Sequence, residues 1–381
     1  MKRTLVILLA VNLFAATALG YGPRGHGLVG AIADQRIAKN QALHTKINDL
    51  LDGLTLQRVA TLPDEIKTWD SNPNGFHLFA HKKLEAELRA FVAANPNPKH
   101  GQDNPPGVPS HHYFHYTDVP VFKSEQYSLG RVGTSNFDIV QMIPFCIRVL
   151  RGDEPANNDR KITKSVALIL LVHYLGDIHQ PLHVGAEYFE REGVDKGRAF
   201  DPSTSNPGFA DQGGGKLMLS TLGFPDVGKF HSYWDGQTVE NAFGPAKQPA
   251  DDLAIAKRLA KKEPMGWQLS GSVDTWAEQL ANEILPISRE AHTRLEFSEI
   301  KIAVGAVAGK DDIKSGNVKE TKKVGGQFYA NWAADTVKTE IHKGGWRLAA
   351  LDSLISGFRP ANFESERTRP AQRIRPDRVS R

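Results

Sequence analysis

A chain of 381 residues, 40% hydrophobic and 24% charged, has the make-up of an ordinary globular protein rather than a fibrous or low-complexity one. The formal charge of +4 overstates how basic the body is. Residues 359–381 hold seven arginines against Glu364, Glu366 and Asp377, and Lys2 and Arg3 add two more charges, so the remainder carries −2 and is no basic nucleic-acid scaffold. The only cysteine, Cys146, excludes a fold held by disulfides and reads as a small buried hydrophobe.

The first element, MKRTLVILLAVNLFAATALG, is a basic start, a short apolar run and small residues: a secretory signal peptide cleaved after Gly20, too short to span a membrane. Apolar periodicity then predicts helices over 28–38, 44–54, 82–94, 136–152, 161–180, 251–262 and 273–295. A last pair of helices over 325–358 is predicted to break at Gly344 and Gly345. Alternating strands are scarce, so the fold class expected is all-α: a single multi-helix domain over 21–358 with long irregular loops at 95–113 and 186–215. The Arg- and Pro-containing tail, 359–381, is expected to be disordered.

Chemistry concentrates in HYLGDIHQPLH, residues 173–183. His173 and Asp177 are four apart and share one face of an apolar helix, where buried polar groups need partners. Pro181 ends that helix and turns His183 toward a different point, so one segment can serve two metal positions. His26, Asp64, His115, His231 and Asp235 occur in similar settings, the last two also four apart. Eight His and Asp side chains exceed the three or four ligands of one zinc, so two or three ions follow. The mixed imidazole and carboxylate set points to catalytic rather than thiolate structural zinc. His111 and His112 offer a rival register to His115, which is preferred because the aromatic-x-Asp pattern of Tyr116 and Asp118 follows it. His179, on another helical face, reads as a supporting residue rather than a ligand.

These ordered motifs resemble the S1/P1 nuclease family, the zinc-dependent single-strand-specific nucleases of fungi, plants and bacteria. Members begin Trp-Gly-x-x-Gly-His, and this chain reads Tyr21-Gly22-Pro23-Arg24-Gly25-His26, with the same spacing and a different first residue. The resemblance implies a phospholipase C/nuclease-like helical fold and three zinc ions (Zn2+) per chain. Asp64, His115, His173 and Asp177 would hold one. Tyr21, through its amino group and carbonyl, His26 and the shared Asp177 would hold a second, and His183, His231 and Asp235 the third. Signal cleavage would then complete the site, because the ligand amine does not exist in the precursor.

The implied reaction is cleavage of the P–O3′ bond of single-stranded RNA, DNA and 3′-nucleotides to leave 5′-phosphates, with Asp64, Asp177 and Lys67 in catalytic positions. Lys67 stands where the family commonly has an Arg, and supplies a point charge without the bidentate fork. Tyr116 would stack on a splayed-out base and Asp118 would bind its edge, which favours single strands. The product would be secreted or periplasmic, with no stable protein partner and no membrane span after signal cleavage. Two other readings stay open: a phospholipase C-type zinc phosphodiesterase, disfavoured by Asp235 where those lipases have Glu, and an inactive zinc-binding secreted protein.

Overall fold

The computed structural model describes residues 21–98, 107–123, 126–203, 205–219, 228–304, 313–316, 318–321 and 323–355, with side chains as far as 351. The predicted signal peptide, the tail and parts of both predicted loops lie outside the described residues. Helices dominate: α1 Gly22–Ile37, α2 Gln41–Leu50, α3 Leu56–Val59, α4 Leu62–Glu65, α5 Lys82–Ala94, α6 Ile139–Arg151 and α7 Lys164–Asp177, followed by α8 Phe230–Ser232, α9 Thr238–Phe243, α10 Pro249–Lys261, α11 Trp276–Thr293 and α12 Tyr329–Ile355. Among the described residues no helix is long and apolar enough to cross a membrane.

The centre of the fold is α7. Thr163 caps its start by accepting from the Val166 amide, and every residue from Val166 to Asp177 is buried. A helix apolar on all sides needs neighbours on all sides. It has them in α1, α3, α4, α5, α6 and α12. Alongside it, α6 begins at Asp138, whose carboxylate accepts from the Val140 and Gln141 amides, and ends at left-handed Gly152. Cys146 is buried on α6, and burial pushes its thiol up from the ordinary value.

Two expectations are corrected. Residues 329–355 form one helix, unbroken at Gly344 and Gly345. A Cβ on Gly345 would lie 2.5 Å from Ile32 Cβ, and one on Gly344 would lie 3.4 Å from the Leu175 carbonyl oxygen. Gly345 lets α12 approach α1 closely, and that packing outweighs the propensity cost of a helical glycine, whereas a Cβ on Gly344 would make only an ordinary contact with α7.

The fold is mostly helical but not all-α. Strands β1 Val119–Pro120 and β2 Gly185–Ala186 pair in parallel, and β3 Tyr188–Glu192, β4 Lys196–Ala199 and β5 Phe209–Ala210 occupy the stretch expected to be irregular. With β6 Leu295–Phe297, β7 Lys301–Ile302, β8 Ile313–Lys314 and β9 Val318–Glu320, they build a five-stranded sheet of order β5-β3-β4-β7-β8 and a β6-β9 pair. The β3-β4 hairpin matches Phe189 with Ala199 and Glu192 with Lys196, turning at left-handed Gly193. Its sequences, YFERE and KGRA, lack the β-branched residues that mark a strand.

Candidate metal centre

Helix α7 delivers His173 and Asp177 from one face, and α1 lays His26 flat on His173 with ring centroids 3.9 Å apart. This contact depends on Gly176, where a Cβ would lie 2.5 Å from His26 Nδ1. Asp64 arrives on α4, and His115 at the end of the short turn His111–His115. His115 Nδ1 lies 2.9 Å from Asp177 Oδ2 and 3.0 Å from His173 Nε2, while His173 Nε2 lies 3.7 Å from Asp64 Oδ1. His26 Nε2 and His183 Nδ1 stand 3.2 Å and 3.5 Å from the other Asp177 oxygen, Oδ1. Asp177 therefore faces four imidazoles.

Past the end of α7, Pro181 opens the turn Pro181–His183, which carries His183 toward His231. His231 sits on α8 and Asp235 in the π-helical turn Tyr233–Gln237, and His231 Nε2 is 3.4 Å from Asp235 Oδ2. Gln180 donates from Nε2 to Asp235 Oδ1 at 2.8 Å, fixing the carboxylate from inside the central motif. Tyr21 is completely buried, with its hydroxyl donating to the His179 carbonyl at 2.6 Å. Next to it, a Cβ on Gly22 would come within 2.9 Å of the Asp235 carbonyl oxygen. His179 uses both ring nitrogens elsewhere, on the Leu175 carbonyl and on Arg347.

The donor chemistry fits metal. His173, His183 and His231 each set Nδ1 against a main-chain carbonyl, those of Ala60, His115 and Gly213, at 2.7 to 2.8 Å. Such a bond leaves the Nε2 lone pair free to bind an ion. Both nitrogens of His26, Asp177 Oδ1, His183 Nε2 and His231 Nε2 are buried with no hydrogen-bond partner among the described residues. Five orphaned polar atoms in one place would be costly in a finished core. Among the described residues three buried groups could hold a metal ion: His26, Asp64 and His173; His115, His173 and Asp177; and His183, His231 and Asp235.

Electrostatics prepares them. At His173 burial is outweighed by Asp177 and Asp64, which raise it, but burial, against the opposing pull of Asp177, pushes His26, His115 and His183 below the ordinary imidazole value and His231 down to about 3. Neutral imidazole is the form that ligates. Burial opposes ionisation of Asp177, but His173, His183 and His26 outweigh it and hold the carboxyl well below its usual range. Burial likewise raises Asp235 well above it.

The clusters lie against an open pocket of about 320 Å³, lined by His115, His183 and His231 together with Lys67, Tyr116, Asp118 and Lys229. Lys67 is nearly buried, with its Nζ 2.8 Å from Asp64 Oδ1. Asp118 Oδ1 is buried with no hydrogen-bond partner among the described residues, and burial pushes its carboxyl up to about 7. Tyr188 donates to the Asp118 main-chain oxygen, and the Asp118 amide is bonded to Gly133, so the segment is held from two sides. His111 and His112 stand apart from this floor and face Asp70.

Sequence reasoning missed Gln180 and the steric role of Gly176, although both lie inside the central motif. A buried amide just before Pro181 was the available signal for the first.

The fold and these clusters define a helical protein with several sites able to hold metal, gathered beneath one cleft. The chain belongs to the S1/P1 nuclease family, whose profile matches residues 21–356, a span that takes in all of the described residues. It is thus a nuclease, a hydrolase acting on nucleic acid. No curated protein matches the chain.

Proposed function

We propose that the protein is an exported zinc-dependent phosphodiesterase, a single-strand endonuclease and 3′-nucleotidase that cleaves the P–O3′ bond and leaves 5′-phosphates. One observation carries the reading: Asp177 faces His26, His115, His173 and His183 at once, beside a second His-Asp cluster, beneath an open pocket that His115, His183 and His231 line. In this proposal three zincs are held: by Asp64, His115, His173 and Asp177; by the Tyr21 main chain, His26 and Asp177; and by His183, His231 and Asp235. Zinc held by these residues would supply charge neutralisation at phosphate and a bound water with its pKa lowered toward about 7.

The chain's own groups do the rest. Lys67, held by Asp64 at the pocket wall, places a positive charge where a phosphodiester enters. Tyr116 offers a stacking face and Asp118 a carboxyl for a base edge, a pairing that needs an unpaired base. The main-chain bonds to His173, His183 and His231 hold the ligand tautomers. Export follows from residues 1–20, and a free amine at Tyr21 requires cleavage before that residue.

Protein starting at Tyr21, verified by N-terminal sequencing and loaded with zinc, should cleave single-stranded DNA and RNA to 5′-phosphorylated products and release phosphate from 3′-AMP. Zinc-loaded protein that leaves all three intact would sink the reading. Faster turnover of phosphatidylcholine would replace it with a phospholipase.

A further inference from the structure

A fourth cluster stands outside the floor just described. Asp70 ends the short turn Ile66–Asp70, which carries Lys67 and directly follows Asp64 on α4. His111 and His112 open the turn that ends in His115. Their Nε2 atoms lie 3.0 Å and 2.8 Å from the same Asp70 oxygen, Oδ2. The two rings meet edge-on, 77° apart with centroids at 4.6 Å, so adjacent residues aim at one point instead of stacking. All three ligand atoms fall within 4.8 Å of one another.

The parts are firmly held. His111 is buried, its amide donates to the Asn95 carbonyl, and its ring packs edge-on against Phe91. Burial pushes its imidazole below the ordinary value, toward the neutral ligating form. Burial opposes ionisation of Asp70, but hydrogen bonds to His111 and His112 more than offset it and keep the carboxylate charged. His112 is partly exposed and lines the same pocket as Lys67.

We propose that Asp70, His111 and His112 form an additional site for a divalent transition ion of zinc's class at the rim of the pocket. Two imidazoles and one carboxylate are the donor set of zinc sites that keep a coordination position open, and the exposed edge of His112 supplies the opening. The ion would tie the segment bearing Asp64 and Lys67 to the segment bearing His115, a second link between elements that already meet at the buried centre. It would also add positive charge beside the pocket. Because His112 and Asp70 reach solvent, this ion exchanges more readily than ions held by fully buried ligands.

The test is a count of bound ions. Chelator-stripped protein, titrated with Zn2+ by equilibrium dialysis and measured by mass spectrometry, is compared with His112→Gln and Asp70→Asn. Each variant should bind one equivalent fewer than wild type, and the missing equivalent should be the weakest. Asn at 70 still accepts from both Nε2–H groups, so loss in that variant reports coordination rather than hydrogen bonding. Stoichiometry and affinities equal to wild type in both variants overturn the proposal. The difference between proteins reads the rim site whatever the total, whereas a wild-type total below four with the difference intact counts against three zincs at the floor.

Discussion

Replacing Gly176 with alanine should damage the centre while leaving the fold largely intact. In isolation the change favours a helix by about 1 kcal/mol. Here the added methyl would lie 2.5 Å from His26 Nδ1 and 2.9 Å from its Cε1, where ordinary contacts begin at 3.4 Å. His26 must therefore retreat by about 1 Å, and its stacking on His173 leaves no free path. Overpacking of this kind costs about 1–3 kcal/mol, so the net loss of stability is about 0–2 kcal/mol. A ligand displaced by about 1 Å costs far more in rate, on the order of 100-fold. The assay is kcat/KM on single-stranded DNA, measured beside zinc content and the melting temperature of the metal-free protein. Wild-type rate and zinc content in Gly176→Ala would refute the claim that this glycine exists to admit His26.

Asp177→Ala should abolish hydrolysis and release more zinc than Asp235→Ala, because Asp177 faces four imidazoles while Asp235 touches His231 and Gln180. Equal residual activity in the two variants contradicts the proposed sharing of Asp177 between two zinc sites. For Asp118, the folded carboxyl titrates near 7 and the unfolded one near the ordinary 3.8, so between these values the folded state holds a proton that the unfolded state releases. Stability therefore falls as pH rises through that window, by up to about 1.4 kcal/mol per pH unit. Asp118→Asn removes this slope. Urea midpoints of the metal-free proteins from pH 4.5 to 7.5 should favour the variant increasingly, and a pH-independent difference speaks against burial of the charge.

Much of this was legible in the residues, for physical reasons that also mark where reading fails. The His173-Asp177 pair on an apolar helix and the break at Pro181 follow from local periodicity, and the structure places His183 toward His231 accordingly. The i, i+4 spacing of His231 and Asp235 suggested a plain α-helix, yet a π-helical turn carries Asp235. Gly344 and Gly345 read as a break because propensity is local, whereas Ile32, against which Gly345 packs, is more than three hundred residues away. The β3-β4 hairpin escaped notice because its pairing, not its composition, makes it a strand pair. His111 and His112 were weighed only as rivals to His115. Their shared partner Asp70 lies some forty residues upstream, and only the fold brings them together.

The hydrogen bonds that set the tautomers of His173, His183 and His231 all end on peptide carbonyls, those of Ala60, His115 and Gly213. A carbonyl belongs to the backbone and survives any substitution at its own position. Drift in side chains can thus remove one of these imidazoles but has little means of mis-protonating it while the backbone keeps its course. The three imidazoles sit in a setting that point mutation rarely reaches, and substitutions in the pocket walls can change what the pocket accepts without altering the state of the nitrogens beneath them.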